Sequence, residues 1–214
     1  MTAQPPARPA ARARNRRGEG DRLRRDLLDA AERLLEEVGS HEALSLRAVA
    51  REVGIATTSV YLHFADRTQL LIAIYKERFV ELSRFLEEAA AGAEGPAEQL
   101  RACCLAYGRF AVERPNTYRV MFEVPGTQME APAGMSRDEL PGVEAFDVFR
   151  RCLGAVMDAG LAPRTDLFLA TTCLIAALHG VVTLRINRPS FPWPPVEDLV
   201  DHLLASQVGL RPGG

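Results

Sequence analysis

The side chains best suited to contact chemistry in this 214-residue sequence gather between Ser45 and Arg67. Arg47 carries a planar fork of donors that can grip a guanine edge bidentately, and the hydroxyls of Thr57 and Thr58 can donate to base edges or phosphates. Their methyl groups, like Leu62, can touch a thymine methyl. Tyr61 and His63 suit phosphate oxygens, and no residue from Thr57 to His63 bears a negative charge that would repel one. Each also has a plainer reading. Tyr61 can pack against a neighbouring helix, and His63 can be an ordinary surface residue.

No competing reactive constellation is visible elsewhere. The sequence lacks a nucleophile elbow, a phosphate-binding glycine loop, a dinucleotide fingerprint and paired metal ligands, and Glu113 and Glu123 have no catalytic partner. Enzymatic activity, a metal and a cofactor are therefore not expected. Cys103, Cys104, Cys152 and Cys173 lie in apolar periodic stretches and read as small buried hydrophobes rather than redox or metal groups. With 47% hydrophobic and 25% charged residues the composition is that of a globular protein. Leu167 to Ile186, the most apolar stretch, contains His179 and Arg185 and is expected to be a buried helix rather than a membrane span. No apolar leader precedes the arginines at the front, so the expected location is cytoplasmic, away from any membrane.

Net charge is only -2, but it is unevenly spread. Residues 1 to 25 hold eight arginines against Glu19 and Asp21, whereas residues from 71 onward hold 14 basic and 18 acidic side chains. Residues 1 to 20, rich in Pro, Ala and Arg, have too little apolar bulk to offset their ordering entropy. Two readings stand for this disordered arm: a solvated leader, or a basic arm that lies along phosphates or enters a minor groove.

The elements that must position the contact residues follow from hydrophobic period. The chain reads as all-α with about nine helices. A first helix runs from Asp21, with Leu27, Ala31, Leu34, Leu35 and Val38 on one face and Gly39 as its stop. Ser45 caps a second, carrying Leu46, Val49, Ala50 and Val53, which Gly54 ends. A turn at Ile55 and Ala56 leads to a third run with Val60, Tyr61 and Phe64. Asp66 and Gln69 then open a long fourth helix reaching about Ala90. The later helices are expected at about Pro96 to Glu113, Asn116 to Phe122, Pro141 to Gly160, Thr165 to Asn187 and Val196 to Val208. A loop with Pro125, Gly126, Pro132 and Gly134 separates the sixth from the seventh.

Two short helices meeting at a glycine-containing corner form a helix-turn-helix, whose second helix enters the major groove. The stretch Leu44-Ser-Leu-Arg-Ala-Val-Ala-Arg-Glu-Val-Gly-Ile-Ala-Thr-Thr-Ser-Val-Tyr-Leu-His-Phe-Ala-Asp-Arg-Thr-Gln-Leu-Leu71 resembles the DNA-binding signature of TetR-type transcriptional regulators. The resemblance covers about residues 24 to 75. It implies that Arg47, Thr57 and Thr58 read bases and that Ser45, Ser59, Tyr61, His63 and Arg67 hold phosphates. Three positions depart from the family pattern: Arg67 replaces a usual lysine, Ala56 a frequent serine and Thr58 a frequent glycine. Loss of the serine removes a helix cap worth ~1 kcal/mol, which Thr57 is expected to supply instead.

On this resemblance the chain divides into the arm (1–20), the DNA-binding domain (21–66) and a ligand-binding and dimerisation domain (67–214). The partners implied are operator DNA, a small apolar or amphipathic effector and a second copy of the chain, with repression relieved by the effector. The step Leu178-His179-Gly180 resembles a subgroup with a His-Gly pair in the eighth helix. Tyr107, Phe110, Tyr118, Met121, Phe122, Phe146, Phe149 and Cys152 either fill a core or, with His179, line an effector pocket. Gly180 costs roughly 1 kcal/mol inside a helix. Close approach of a partner helix would repay it, and Ala176, Gly180 and Thr183 with Leu199 and Leu203 then form a dimer interface.

Overall fold

The computed structural model describes residues 19–38, 44–122, 134 and 136–210. Residues 1–18 of the arm, Gly39, Glu123 and the prolines at 125 and 132 lie outside them. Among the described residues there are nine α-helices and no strand. α1 (Glu19–Val38) buries Leu27, Leu28, Ala31 and Leu35 as one stripe. α2 (Leu46–Val53) begins where the Ser45 hydroxyl accepts the Ala48 N–H at 3.1 Å, and it ends at Gly54, whose φ of 76° is one that L side chains rarely adopt. α3 (Thr57–Val60) is a single turn, and a further turn carries the chain to the buried Phe64. α4 (Arg67–Ala91) opens with the Asp66 carboxylate accepting the Gln69 N–H at 2.8 Å.

α5 (Gly95–Glu113), α6 (Pro115–Phe122), α7 (Val143–Asp158), α8 (Leu167–Asn187) and α9 (Val196–Leu203) complete the chain, with a π-helical turn at Leu204–Val208 after α9. Several details differ from the sequence expectation: Cys173, read as a small buried hydrophobe, is exposed on α8, and α1 begins at Glu19, within the stretch read as a disordered arm. Thr57 does not cap α3; the capping position is Ala56, which has no side chain to accept a bond. Nor is α8 a buried helix: its most apolar 18 residues have a mean hydropathy of 2.0, yet only 22% of them are buried within the chain. By length and composition alone that helix could cross a membrane.

Burial is divided between two cores. The first joins α1 to α3 with Leu70, Leu71, Ile74 and Tyr75 of α4. The second joins Leu82 and Leu86 of α4 with α5, α7, α8 and the chain end. α4 thus belongs to both. So does α6, since Val120 is fully buried in the first core while Tyr118 and Met121 are buried in the second.

A charged seam crosses the same junction. The Arg78 guanidinium of α4 lies 3.5 Å from Glu32 of α1 and donates to Glu81 at 2.9 Å; Arg114 also pairs with Glu81. Arg119 of α6 donates to the Glu36 carbonyl at 2.9 Å. Burial pushes the Glu32 carboxyl above its ordinary range, and the opposing attraction of Arg78 does not cancel that.

Candidate DNA-binding face and effector cavity

α2 and α3 meet at the Gly54 corner with their apolar residues turned into the first core: Leu46, Val49 and Ala50 from α2 and Val60 from α3. What remains outside is the contact set. Arg47, Thr58 and Arg67 are exposed, Tyr61 is 56% exposed and Leu62 79%, while Thr57, Ser59 and His63 are half-buried. Leaving Tyr61 and Leu62 in water forgoes their burial energy, roughly 1.5 to 3 kcal/mol for a side chain as large as leucine. The Ser45 hydroxyl uses a lone pair as the cap of α2 and keeps its proton to donate. Phe64 anchors the surface from beneath, with the Arg24 guanidinium 5.0 Å over its ring.

The second core holds a cavity of about 270 Å³ walled by Phe79, Leu82, Tyr107, Phe122, Gly142, Ala145, Phe146, Phe149, Ile175 and His179. Five of the residues singled out in the sequence meet there: Tyr107, Phe122, Phe146, Phe149 and His179. Phe110 and Met121 are packed into the core, Tyr118 stands behind His179, and Cys152 faces α5. Phe79, Leu82, Ala145 and Ile175 were missed. Phe79 and Leu82 lie on the middle of α4, whose apolar stripe gave no sign that it changes core halfway along.

One end of the cavity is polar. His179 Nδ1 lies 2.8 Å from the Tyr107 hydroxyl and 3.0 Å from that of Tyr118, and Tyr118 also reaches the Thr183 hydroxyl at 3.2 Å. Burial pushes the Tyr107 phenol well above its ordinary range, so it stays protonated as a hydrogen-bonding group. Around this cluster the rings of Tyr118, Phe122 and His179 lie within 6 Å of one another, the largest centroid separation being 5.9 Å. A second groove of about 480 Å³ runs between α5, α8 and α9, with Arg109, Glu113, Arg185 and Glu197 at its edges. It lacks the buried polar end of the first.

On α8, Ala176 is exposed, and a Cβ added at Gly180 would meet nothing within 4 Å. The chain's own packing therefore gives no reason for glycine there. Thr183 turns inward to Tyr118 and His179. Leu199 is half-buried, and Leu203 packs partly on the second core. Phe168 (59%), Leu169 (61%) and Leu184 (53%) stand out as large exposed apolar side chains of the same helix.

Residues 27–74 match the family model described as bacterial regulatory proteins, tetR family, and residues 100–207 match the model described as tetracyclin repressor-like, C-terminal domain. The chain belongs to the TetR family. It is accordingly a transcriptional regulator with a DNA-binding helix-turn-helix domain and a helical C-terminal domain of the ligand-binding kind. Solved structures agree. A protein of unknown function from Rhodococcus sp. RHA1 is 29% identical, with a TM-score of 0.71 over 88% of this chain and 95% of the other. A TetR family transcription regulator from Marinobacter aquaeolei VT8 is 20% identical, with a TM-score of 0.67 over 92% and 100%. The regulator FadR from Bacillus subtilis, solved with stearoyl-CoA, is 18% identical, with a TM-score of 0.64 over 86% and 97%. At the last two identities the likeness is one of fold.

Proposed function

We propose that the regulator is a cytoplasmic homodimeric repressor released from its operator when a small, mostly apolar effector enters the aromatic cavity. The observation that carries the reading is the double membership of α4 and α6. The helices that wall or back the cavity through Phe79, Tyr118 and Phe122 also fill the core beneath the helix-turn-helix through Leu70, Ile74 and Val120. A ligand that shifts either helix changes how the DNA-binding domains are held. Two recognition helices must lie about 34 Å apart to enter successive major grooves, so spacing is what the effector alters. Linkage then requires DNA to weaken effector binding by the same factor.

On the DNA side, Arg47, Thr57, Thr58 and Leu62 face bases, and Ser45, Ser59, Tyr61, His63 and Arg67 hold phosphates. The second copy docks on α8 and α9. Support comes from the exposed Phe168, Leu169 and Leu184, from Ala176, and from the open space over Gly180, with Leu199 and Leu203 at the margin and Thr183 supporting the cavity instead.

Cavity size narrows the effector. A dry cavity of about 150 Å³ takes one benzene ring, so about 270 Å³ takes roughly two rings or one ring with a substituent. One hydrogen-bonding group, met by Tyr107 and His179, completes the match.

The test is a titration of the full-length protein with genomic fragments upstream of its own coding region, repeated with small aromatic compounds. Saturable, sequence-specific binding that such a compound relieves supports repression. Binding that a compound strengthens would favour an activator, and no specific binding would favour an adaptor that has lost DNA recognition.

A further inference from the structure

Four polar groups converge at one end of the aromatic cavity, and they compete for one ring nitrogen. His179 Nδ1 has the Tyr107 hydroxyl at 2.8 Å and the Tyr118 hydroxyl at 3.0 Å, yet a ring nitrogen serves one in-plane hydrogen bond at a time. Tyr118 has a second partner in the Thr183 hydroxyl at 3.2 Å, which itself lies 3.4 Å from Nε2. Of the two buried tyrosines only Tyr107 is a wall of the cavity. We propose, resting on the reading of this cavity as the effector site, that the cluster selects an uncharged aromatic hydroxyl compound whose hydroxyl pairs with Tyr107.

The hydroxyl follows from the proton on His179. A phenol has one proton to donate and two acceptor sites, and the bond between Tyr107 and His179 uses one of these three. With the imidazole proton on Nε2, Nδ1 accepts from Tyr107, which then turns acceptor sites to the cavity. With the proton on Nδ1, the ring donates to the Tyr107 oxygen, and the phenol proton is what faces inward. An effector hydroxyl meets either arrangement, because it both donates and accepts. A carbonyl meets only the second. The aromatic ring follows from the walls. Phe79 meets Phe122 edge to face at 5.6 Å and Tyr107 meets Phe149 likewise at 6.1 Å, and a further ring extends contacts of that kind.

The same surroundings exclude charge. Among the described residues, the walls of the cavity include no arginine, lysine, aspartate or glutamate. A carboxylate would enter without a counter-ion unless His179 took up a proton. Two ions would then be held out of water, with the rings of Tyr118 and Phe122 against the imidazolium. An ammonium would meet no anion, since burial keeps the Tyr107 phenol protonated.

The experiment is a calorimetric titration of the full-length protein at neutral pH with four compounds of similar size. They are para-ethylphenol, uncharged there; para-ethyltoluene, which lacks the hydroxyl; para-ethylbenzoate, an anion; and para-ethylbenzylamine, a cation. The phenol should bind at least ~tenfold more tightly than each of the others, because a buried hydroxyl site rejects ligands that leave it unpaired or bring in a bare charge. Tyr107→Phe should shrink the advantage of the phenol over the toluene to within ~twofold, as loss of a single hydrogen bond requires. A toluene, benzoate or amine that binds as tightly as the phenol, or an advantage that survives Tyr107→Phe, would overturn the selection while leaving the cavity an effector site. Failure of all four to bind would overturn the effector site and the selection with it. The comparison of the four compounds uses the native sequence, so it does not depend on how the variant folds. It needs no operator either, so a compound that binds without releasing DNA refutes the repressor mechanism and leaves the selection standing.

Discussion

Val120→Ala tests the claim that α6 belongs to two cores. Val120 comes from the C-terminal half of the chain, yet it is fully buried among the residues of α1, α2 and α4. Truncation to alanine removes two methyl-sized groups, about 1.6 kcal/mol at roughly 0.8 each. A residual hole of roughly 40 Å³ adds about 1 kcal/mol at ~24 cal/mol per Å³. The expected loss is therefore about 2.5 kcal/mol, or a fall in melting temperature of roughly 5 to 10 °C for a chain of this size. Circular dichroism at fixed protein concentration measures the total, and hydrogen exchange locates it. Amides of α1 around Leu27 to Leu35 should lose protection more than those of α5 around Leu100 to Phe110. A loss below about 0.5 kcal/mol, or faster exchange confined to α5 and α7, would refute the idea that α6 props up the DNA-binding core.

Arg47→Ala should weaken operator binding by ~1 to 3 kcal/mol in a titration while the sedimentation behaviour stays that of wild type; an unchanged affinity removes Arg47 from base reading. Arg67→Ala should weaken all DNA sequences about equally. Ala145→Phe fills part of the cavity and should lower operator affinity without unfolding the DNA-binding domain, so an unaltered titration curve would count against the sensor reading. Deleting residues 1–18 should flatten the dependence of log affinity on log salt by about 0.9 for each arginine that had neutralised a phosphate. The raised Glu32 carboxyl is the reverse of a favourable ion pair: its contribution to stability is greatest below the ordinary carboxylate range and is lost as pH rises through the raised value. Glu32→Gln should accordingly be more stable than wild type at pH 7.5, with the advantage shrinking toward pH 4.5, as thermal unfolding at several pH values can show.

The helices and their order were legible because local rules govern them. Ser45 and Asp66 both cap the helices expected of them, and Gly54 stops α2 through a backbone angle visible in the residue type alone. Family membership was legible too, since the motif from Leu44 to Leu71 is local in sequence. The cavity was only half legible. Tyr107, Phe122, Phe146, Phe149 and His179 belong to it, but Phe110 and Met121 have the same character and lie in solid core. Apolar period says which face of a helix is inward, and nothing about whether the space inward is full. The burial of α8 was misjudged for a related reason. Its composition is apolar on every side, which describes burial in an assembly as well as burial in one chain. The inward turn of Thr183 toward Tyr118 depends on which helices face each other, a matter that residue spacing within one helix does not decide.

The build of α3 bears on how such a regulator changes over generations. Val60 is the one fully buried residue of that helix, Ala56 gives it no side-chain cap, and Thr58, Tyr61 and Leu62 project into solvent. Substitutions at exposed positions of this kind usually alter stability by no more than about 0.5 kcal/mol. The surface assigned to DNA can therefore be rewritten residue by residue while the fold beneath it is left alone. A duplicated copy of the gene could drift to a new operator through viable intermediates, whereas a new effector would demand coordinated change in a packed interior. Descendants of this chain should accordingly diverge in the sites they bind sooner than in the compounds they sense.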